Sequence, residues 1–428
     1  MRKIITTLLI IITSFNSYGQ WTTVPNAPTD QRFDDVTFIN DSVGFIAQGF
    51  HLFKTIDAGE TWSQISTLPL FSGGGYVRSI EFINDTVGFY GTLPSTSVPG
   101  RLYRTSDGGL TFIQCNIISA GDGGVCGIAH FGNTIIGGGA FMSSVARFYK
   151  SVDAGLNWTS TDMSALMGGF VDCYMFDYNN YLISGISTQA TGNRAIILRT
   201  SDGGTTWTQV AVCSIAGLSF TWKMFFLPGT GHGFASVEGN PVIFKTVDYG
   251  NTWTEINLGI SSATELGAIG ALNDTVIWVG SQWFPGMYGT QDGGTTWTAY
   301  PAFGENMDRM VMLDPQHLLC VGSTIYKYSD SSVDVPVNPA FLSKHHFVTI
   351  HPNPVESDLT IKMQLFQSSY VLLDVIDMNG NYVMRLFSGA MDEGKQEKQF
   401  SLKDISKGAY TLLFRSNEEF IPIKLVKD

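Results

Sequence analysis

Short apolar stretches on either side of a tight polar turn recur along most of the chain. In residues 38–45 and 82–89, an Asn-Asp pair separates Phe-Ile from a following Val-Gly-Phe. Apolar runs of strand length that flank an Asn/Asp/Gly turn predict a β-hairpin. Hairpins of this kind begin at Phe38, Phe82, Phe131, Phe176, Leu227, Leu272 and Leu313. We therefore expect many short antiparallel strands.

A second repeated segment follows each hairpin. It reads Ser/Thr-x-Asp-x-Gly-x-Thr/Asn-Trp/Phe, as in residues 55–62 and 200–207, and its seventh copy is decayed. The aspartates of the seven copies are Asp57, Asp107, Asp153, Asp202, Asp248, Asp292 and Asp330. They are spaced by about 45 residues, the length of a four-stranded propeller blade. Two independent landmarks in seven copies predict an all-β fold, a seven-bladed β-propeller over residues 20–330.

The ends of this array predict how the ring closes. Each intact copy continues into an outer strand, but nothing of that kind follows Asp330. The missing pattern occurs at residues 20–24, where Gln-Trp-Thr-Thr-Val resembles the outer strands. We expect this segment to complete the seventh blade by pairing with its third strand.

The repeated Asp segments resemble the Asp-box, or BNR (sialidase-type) repeat, and their number and spacing are similar to the propellers related to the photosystem II stability and assembly factor. The resemblance covers residues 20–330 and implies the propeller fold. In each segment the Asp can accept N–H groups of the turn, the Gly can supply a positive φ, and the Trp can cover the hairpin. The seven aspartates are therefore predicted to be structural.

Beyond a Pro-bearing linker at residues 331–344, the periodicity stops. Residues 345–428 contain alternating strands and turn signals that suit a small β-sandwich. Their landmarks, at residues 351–354, 375–380, 402–410 and 423–427, resemble the type IX secretion (Por secretion) C-terminal sorting domain of Bacteroidota. That resemblance implies a translocation tag whose partner is the type IX secretion machinery. A carbohydrate-binding sandwich is the alternative, with Tyr370, Tyr382 and Tyr410 as its stacking rings.

Residues 1–19 are predicted to be a signal peptide. Arg2 and Lys3 precede an apolar run that ends in the small-residue site Ser17-Tyr18-Gly19. A run of about ten residues is too short to span a bilayer, and no transmembrane segment is expected elsewhere. We expect a secreted or outer-membrane surface protein. A buried N-terminal strand is the alternative.

Composition narrows the class of function. The net charge of −12 disfavours a nucleic-acid binder, and Gly at 47 of 428 residues with only 14% charged residues disfavours disorder and helical bundles. The five cysteines, an odd number, show no zinc-ligand spacing, and neither a metal nor a cofactor is expected. They are Cys115, Cys126, Cys173, Cys213 and Cys320, and five buried thiols are favoured over a Cys115–Cys126 bridge.

Candidate chemistry is expected on the face formed by the inter-blade connections and by the loops between second and third strands, here called the variable face. Aligning the inner strands gives a first ring of Asp34, Arg78, Cys126, Asp172, Trp222, Gly267 and Asp308, and a second ring of Asp35, Ser79, Gly127, Cys173, Lys223, Ala268 and Arg309. The catalytic candidates are Asp34, Asp172 and Asp308, because glycosidases require a carboxylate pair. The ligand-binding candidates are Arg78, Trp222, Lys223, Trp283, Phe284 and Arg309. The alternative is a set of mutually paired charges.

The sequence favours a non-catalytic propeller that binds a protein or a glycan through the variable face. An extracellular glycan-active hydrolase that uses the Asp residues at the channel mouth is the competing hypothesis. The early Arg-Ile-Pro signature of sialidases is absent, as is a Gly-x-Ser-x-Gly nucleophile turn.

Overall fold

The computed structural model describes residues 19–29, 32–40, 42–48, 51–67, 76–93, 101–115, 117, 124–139, 145–187, 192–228, 230–260, 265–301, 303–314, 316–329, 347–365, 369–377, 382–392, 394–416 and 420–428. The predicted linker, Asp330 and all of the predicted signal peptide except Gly19 lie outside these ranges. Within them no helix is long and apolar enough to cross a membrane.

The first part of the described chain forms seven four-stranded antiparallel sheets. Their strands are β1 (Gln20–Thr23), β2 (Val36–Phe38), β3 (Gly44–Gln48), β4 (His51–Thr55), β5 (Ser63–Thr67), β6 (Tyr76–Phe82), β7 (Gly88–Leu93), β8 (Arg101–Thr105), β9 (Ile113–Cys115), β10 (Gly127–Phe131), β11 (Thr134–Gly139), β12 (Arg147–Ser151), β13 (Thr159–Asp162), β14 (Gly169–Met175), β15 (Tyr181–Ile186), β16 (Ala195–Thr200), β17 (Thr208–Val212), β18 (Phe220–Phe226), β19 (Gly233–Glu238), β20 (Val242–Thr246), β21 (Thr254–Asn257), β22 (Leu266–Ala271), β23 (Ile277–Ser281), β24 (Met287–Thr290), β25 (Thr298–Tyr300), β26 (Arg309–Asp314), β27 (His317–Val321) and β28 (Ile325–Ser329).

Blades 1 to 6 each contain four consecutive strands, starting with β2–β5 and ending with β22–β25. Blade 7 contains β26, β27 and β28, and its fourth strand is β1. Trp21 lies opposite Tyr328 in this pairing, and Thr22 lies opposite Lys327. The seven-bladed propeller is confirmed, and the N-terminal segment closes it as predicted.

The core lies between adjacent blades. The inner strand β18 is buried at all seven positions, whereas β13, an outer strand, is exposed at all four. Aromatic rings bridge neighbouring blades, as where Phe45 of blade 1 stacks on Phe82 of blade 2 with ring centroids 3.7 Å apart. Burial of these apolar faces drives blade-to-blade packing, because each single sheet would leave both of its faces in water.

Each of the first six repeated Asp segments forms the turn between the third and fourth strands of its blade, here called the Asp turn. In blade 1, Asp57 Oδ1 accepts hydrogen bonds from Thr55 Oγ1 at 2.8 Å and from the Thr61 amide at 2.9 Å. Gly59 has φ of 81°, and its carbonyl accepts the Trp62 indole N–H at 3.1 Å. Hydrogen bonds from the turn lower the pKa of Asp107, Asp202 and Asp292 to about 2. The hydrogen-bonding capacity of these carboxylates is used within their own turns.

The C-terminal part forms two further antiparallel sheets. Its strands are β29 (Phe347–His351), β30 (Asp358–Leu365), β31 (Ser369–Asp377), β32 (Tyr382–Met391), β33 (Gly394–Ser401), β34 (Gly408–Arg415) and β35 (Phe420–Lys427). One sheet has the order β29-β30-β33 and the other β32-β31-β34-β35. Apolar residues of both sheets, among them Ile361, Leu373 and Phe414, share one core. The predicted β-sandwich is confirmed.

All five cysteines are free thiols, and four of them are buried. Cys115, which is half-buried, therefore does not form the alternative bridge to Cys126.

Candidate functional site

Four charged side chains from three blades or their connections meet at the mouth of the central channel, in what we call the outer charge layer: Arg32, Asp34, Arg78 and Asp308. Arg32 contacts Asp34 Oδ1 through Nη2 at 2.7 Å and Asp308 Oδ2 through Nε at 3.0 Å. Arg78 pairs with Asp34, and its Nη1 lies 3.6 Å from Asp308 Oδ1. Both carboxylates are almost fully buried.

Trp222 belongs to the same layer. Its indole N–H donates to Asp308 Oδ1 at 3.0 Å, and its ring centroid lies 4.4 Å from the Arg78 guanidinium carbon. Burial, and then the neighbouring charge of Asp34, raise the pKa of Asp308 to about 7. Asp308 is therefore enclosed by Arg32, Arg78 and Trp222 and is not exposed to solvent.

Asp35, Asp172 and Arg309 form an inner charge layer one residue deeper. Arg309 contacts Asp35 Oδ1 through Nε at 2.7 Å and Asp172 Oδ1 through Nη2 at 2.7 Å. Each carboxylate also accepts a backbone N–H of the next blade, Asp35 from Ile80 at 3.2 Å and Asp172 from Met224 at 2.9 Å. These aspartates join the free edges of neighbouring inner strands.

The two predicted rings are therefore only partly correct. Asp34, Arg78, Trp222 and Asp308 do come together, but Asp172, expected in the first ring, binds Arg309 of the second. Register shifts occur in the inner strands, between Phe170 and Asp172 in β14 and between Thr221 and Met224 in β18. A bulge adds a residue to one strand and re-aims the following side chains, so an alignment by residue number fails there.

Lys223 lies within the bulge of β18. It is 1% exposed, and its Nζ has no hydrogen-bond partner among the described residues. Burial, followed by the positive charge of Arg309, lowers its pKa, although Asp35 and Asp172 oppose this shift. Lys223 is thus enclosed between the layers and does not face solvent.

Sequence reasoning missed two carboxylates beside the mouth, Glu238 and Glu265. The Trp283 indole N–H points at Glu238 Oε1 at 3.5 Å, and the Trp283 ring centroid lies 4.6 Å from the guanidinium carbon of Arg32. Burial, and then the charge of Glu265, raise the pKa of Glu238 to about 7. Glu238 ends the second strand of its blade, so an alignment restricted to inner strands could not find it.

The other predicted aromatic residue, Phe284, follows Trp283 in the loop between β23 and β24. Trp283 is 51% exposed and Phe284 is 57% exposed. Phe284, with Ser281 and Tyr288, lines a cavity of about 290 Å³. Much of two other loops between second and third strands, at residues 94–100 and 188–191, lies outside the described ranges.

A cavity of about 370 Å³ extends from Asp35 and Arg309 of the inner charge layer to Pro228, in the turn between β18 and β19. His130 Nδ1 and Glu81 Oε1 approach to 2.5 Å on its wall. The described residues contain no group of three His, Cys, Asp or Glu side chains that could hold a metal ion.

Comparison with known proteins gives one family. Residues 349–428 match the secretion system C-terminal sorting domain. The sorting domain indicates export through the type IX secretion system to the cell surface or the extracellular space. No curated protein matches the chain.

Solved structures resemble the propeller. "YCF48 bound to D1 peptide" is 19% identical with a TM-score of 0.51, over 73% of this chain and 97% of that one. "YCF48 from Cyanidioschyzon merolae" is 18% identical with a TM-score of 0.53, over 72% and 98% of the two chains. An ancestral GH74 enzyme is 13% identical with a TM-score of 0.50, over 94% and 60%. At these identities the likeness shows the fold.

Proposed function

We propose that this chain is a secreted or cell-surface propeller without catalytic activity, which binds a protein or a glycan through its variable face. The sorting domain would deliver it there, and the propeller would act as a rigid support for the loops. The net charge of −12 argues against nucleic acid as the ligand.

The main support for this proposal is the burial and charge pairing of the candidate catalytic aspartates. Asp34, Asp172 and Asp308 are at most 2% exposed, and each is bound by an arginine. A glycosidase needs one carboxyl group that can reach the glycosidic oxygen and a second at the opposite side of the bond. Buried, paired carboxylates support cross-linking of the blades better than they support acid–base catalysis.

Exposed aromatic side chains support binding at the variable face. Trp283 and Phe284 present large apolar surfaces to solvent from a loop, and such residues are enriched at recognition sites. A propeller of similar fold, YCF48, has been solved with a bound peptide. That precedent supports a peptide or protein as one of the two ligand classes.

A glycan-active hydrolase is the second candidate. One observation favours it, because the pKa of Glu238 is raised to about 7 and a general acid must carry its proton near neutral pH. Glu238 is only partly buried, so it suits this role better than Asp172 or Asp308 does.

Incubation of the full chain with a panel of polysaccharides separates these functions, with both released reducing ends and retained protein measured. We expect no released product. Product that disappears in Glu238→Gln, Asp172→Asn or Asp308→Asn, but persists in the exposed-turn control Asp85→Asn, would establish the hydrolase and refute our proposal. Thermal melting of each variant distinguishes loss of chemistry from loss of fold.

A further inference from the structure

Blade 6 exposes two adjacent aromatic rings beside the channel mouth. Trp283 and Phe284 are each more than half exposed. Arg32 lies over the Trp283 ring, with its guanidinium carbon 4.6 Å from the ring centroid, and about half of the Trp283 surface remains exposed. Exposed apolar patches with a polar border mark sites of interaction.

Negative charge borders these rings. Glu238 Oε1 lies 3.5 Å from the Trp283 indole nitrogen, and the Glu265 carbonyl accepts the amide N–H of Gln282, the residue before Trp283, at 2.9 Å. Unlike the channel aspartates, neither Glu238 nor Glu265 forms a salt bridge within the described ranges. Their charge is therefore available to a cationic group.

A cavity of about 290 Å³ adjoins the rings on the side of Phe284, and its wall includes Pro285, Met287 and Tyr288. Ser281 also lines it, is only 2% exposed, and has no hydrogen-bond partner for its hydroxyl among the described residues. Buried polar groups are normally hydrogen-bonded, so the Ser281 hydroxyl on the cavity wall is suited to a bound main chain.

We propose that this surface binds a peptide segment in which a basic residue is next to an apolar residue. The lysine or arginine side chain lies on the exposed surface of Trp283 and is attracted by Glu238 and Glu265. The apolar side chain enters the cavity beside Phe284, and the peptide backbone reaches Ser281. This inference rests on the proposed binding function and narrows its ligand to a basic, apolar peptide.

Such binding depends on pH. Glu238 faces Glu265, Arg78 and Asp308 as well as Trp283, and burial followed by the charge of Glu265 raises its pKa to about 7. The neutral form of Glu238 therefore predominates below about pH 7, and the charged form that attracts a cation predominates above it. Burial also raises the pKa of Asp308, in the same direction. Affinity for the basic peptide should rise about 2- to 5-fold from pH 5.5 to pH 8.5, the range of an exposed ion pair.

The test is fluorescence anisotropy of labelled hexapeptides with the full chain. The probe Gly-Gly-Leu-Arg-Gly-Gly is compared with an acidic form, Glu for Arg, and a polar form, Ser for Leu. Trp283→Ala should weaken binding of the probe at least about 10-fold, as for a hot-spot aromatic. Glu238→Gln should weaken it less and remove most of the pH dependence. Asp85→Asn, which removes the same charge from an exposed turn between β6 and β7, should leave affinity unchanged.

The inference is overturned if the acidic or polar peptide binds as tightly as the probe, if Trp283→Ala and Glu238→Gln both bind like the unaltered chain, or if none of the peptides binds at millimolar concentration. If no peptide binds but a polysaccharide retains the chain, the proposed binding function stands and only the peptide ligand is refuted. If neither a peptide nor a polysaccharide binds, both the peptide ligand and the proposed binding function are refuted.

Discussion

Arg309 joins two carboxylates that are far apart in sequence, Asp35 of the connection into blade 1 and Asp172 of blade 4. Its Nη1 also lies 3.4 Å from the Met224 carbonyl of blade 5. Removing a guanidinium from water costs several kcal/mol, which is offset only where its N–H groups find acceptors. The side chain is only 14% exposed, and those acceptors come from three different parts of the ring. A single residue thus ties the channel walls together.

Replacing Arg309 tests this role. Arg309→Met should lower the free energy of unfolding by about 3–5 kcal/mol, because Asp35 and Asp172 would remain buried without their cation. Arg147→Met makes the same chemical change at an ion pair whose partner, Asp162, is 54% exposed, and should cost less than about 1 kcal/mol. Urea unfolding followed by tryptophan fluorescence measures both. Equal losses in the two variants would contradict the cross-link.

At the scale of elements, a cation near the end of the third strand links one blade to the next. Arg104 Nε in β8 donates to the Ala154 carbonyl of blade 3 at 2.8 Å. Lys150 Nζ in β12 donates to the Gly203 carbonyl of blade 4, also at 2.8 Å. Both acceptors belong to Asp turns. The Asp turn therefore closes its own hairpin and also accepts a hydrogen bond from the preceding blade.

Lys150→Met should reduce stability by about 1.5–3 kcal/mol, the range for a hydrogen bond to a charged group. Lys54→Met is the matched control, because Lys54 holds the equivalent place in blade 1 but makes no such bond among the described residues. Both ammonium groups also make a cation–π contact, Lys150 at 5.4 Å from the Tyr181 ring centroid and Lys54 at 5.1 Å from that of Phe45. Both variants lose this contact, so it does not contribute to the difference between them. Thermal unfolding followed by circular dichroism should show the larger loss for Lys150→Met. A larger or equal loss for Lys54→Met would refute the inter-blade link.

The parts of the fold that follow from local chemistry could be predicted from sequence. Asp57 and Gly59 act within one turn, so seven similar segments suffice to count the blades. The channel could not be assembled in the same way, because a register shift such as the one between Thr221 and Met224 changes which side chains follow it into the channel. Glu238 and Glu265 approach the mouth from different blades, and no spacing in the sequence connects them.

For the whole molecule, the decisive contact is the one that closes the ring. β1 begins at Gln20, one residue after the predicted signal peptide ends, and all four of its residues pair with β28. Trp21 packs among three other rings, at 5.9 Å from Trp278, 6.4 Å from Phe303 and 5.5 Å from Tyr328. The closing strand is thus held by backbone hydrogen bonds on one edge and by an aromatic cluster on one face.

Two tryptophans allow closure to be tested apart from ligand binding. Trp21→Ala should destabilise the chain by about 2 kcal/mol or more, since it removes a partly buried ring from the cluster that fixes β1. Trp283→Ala deletes the same atoms from an exposed loop and should change stability by no more than about 0.5 kcal/mol. Urea midpoints of the full chain compare them, with peptide binding as the second measurement. Closure requires Trp21→Ala to lose stability, whereas the binding proposal requires Trp283→Ala to lose affinity at unchanged stability. A Trp283→Ala variant that unfolds as readily as Trp21→Ala would show that the exposed ring supports the fold, and its loss of binding would then carry no weight.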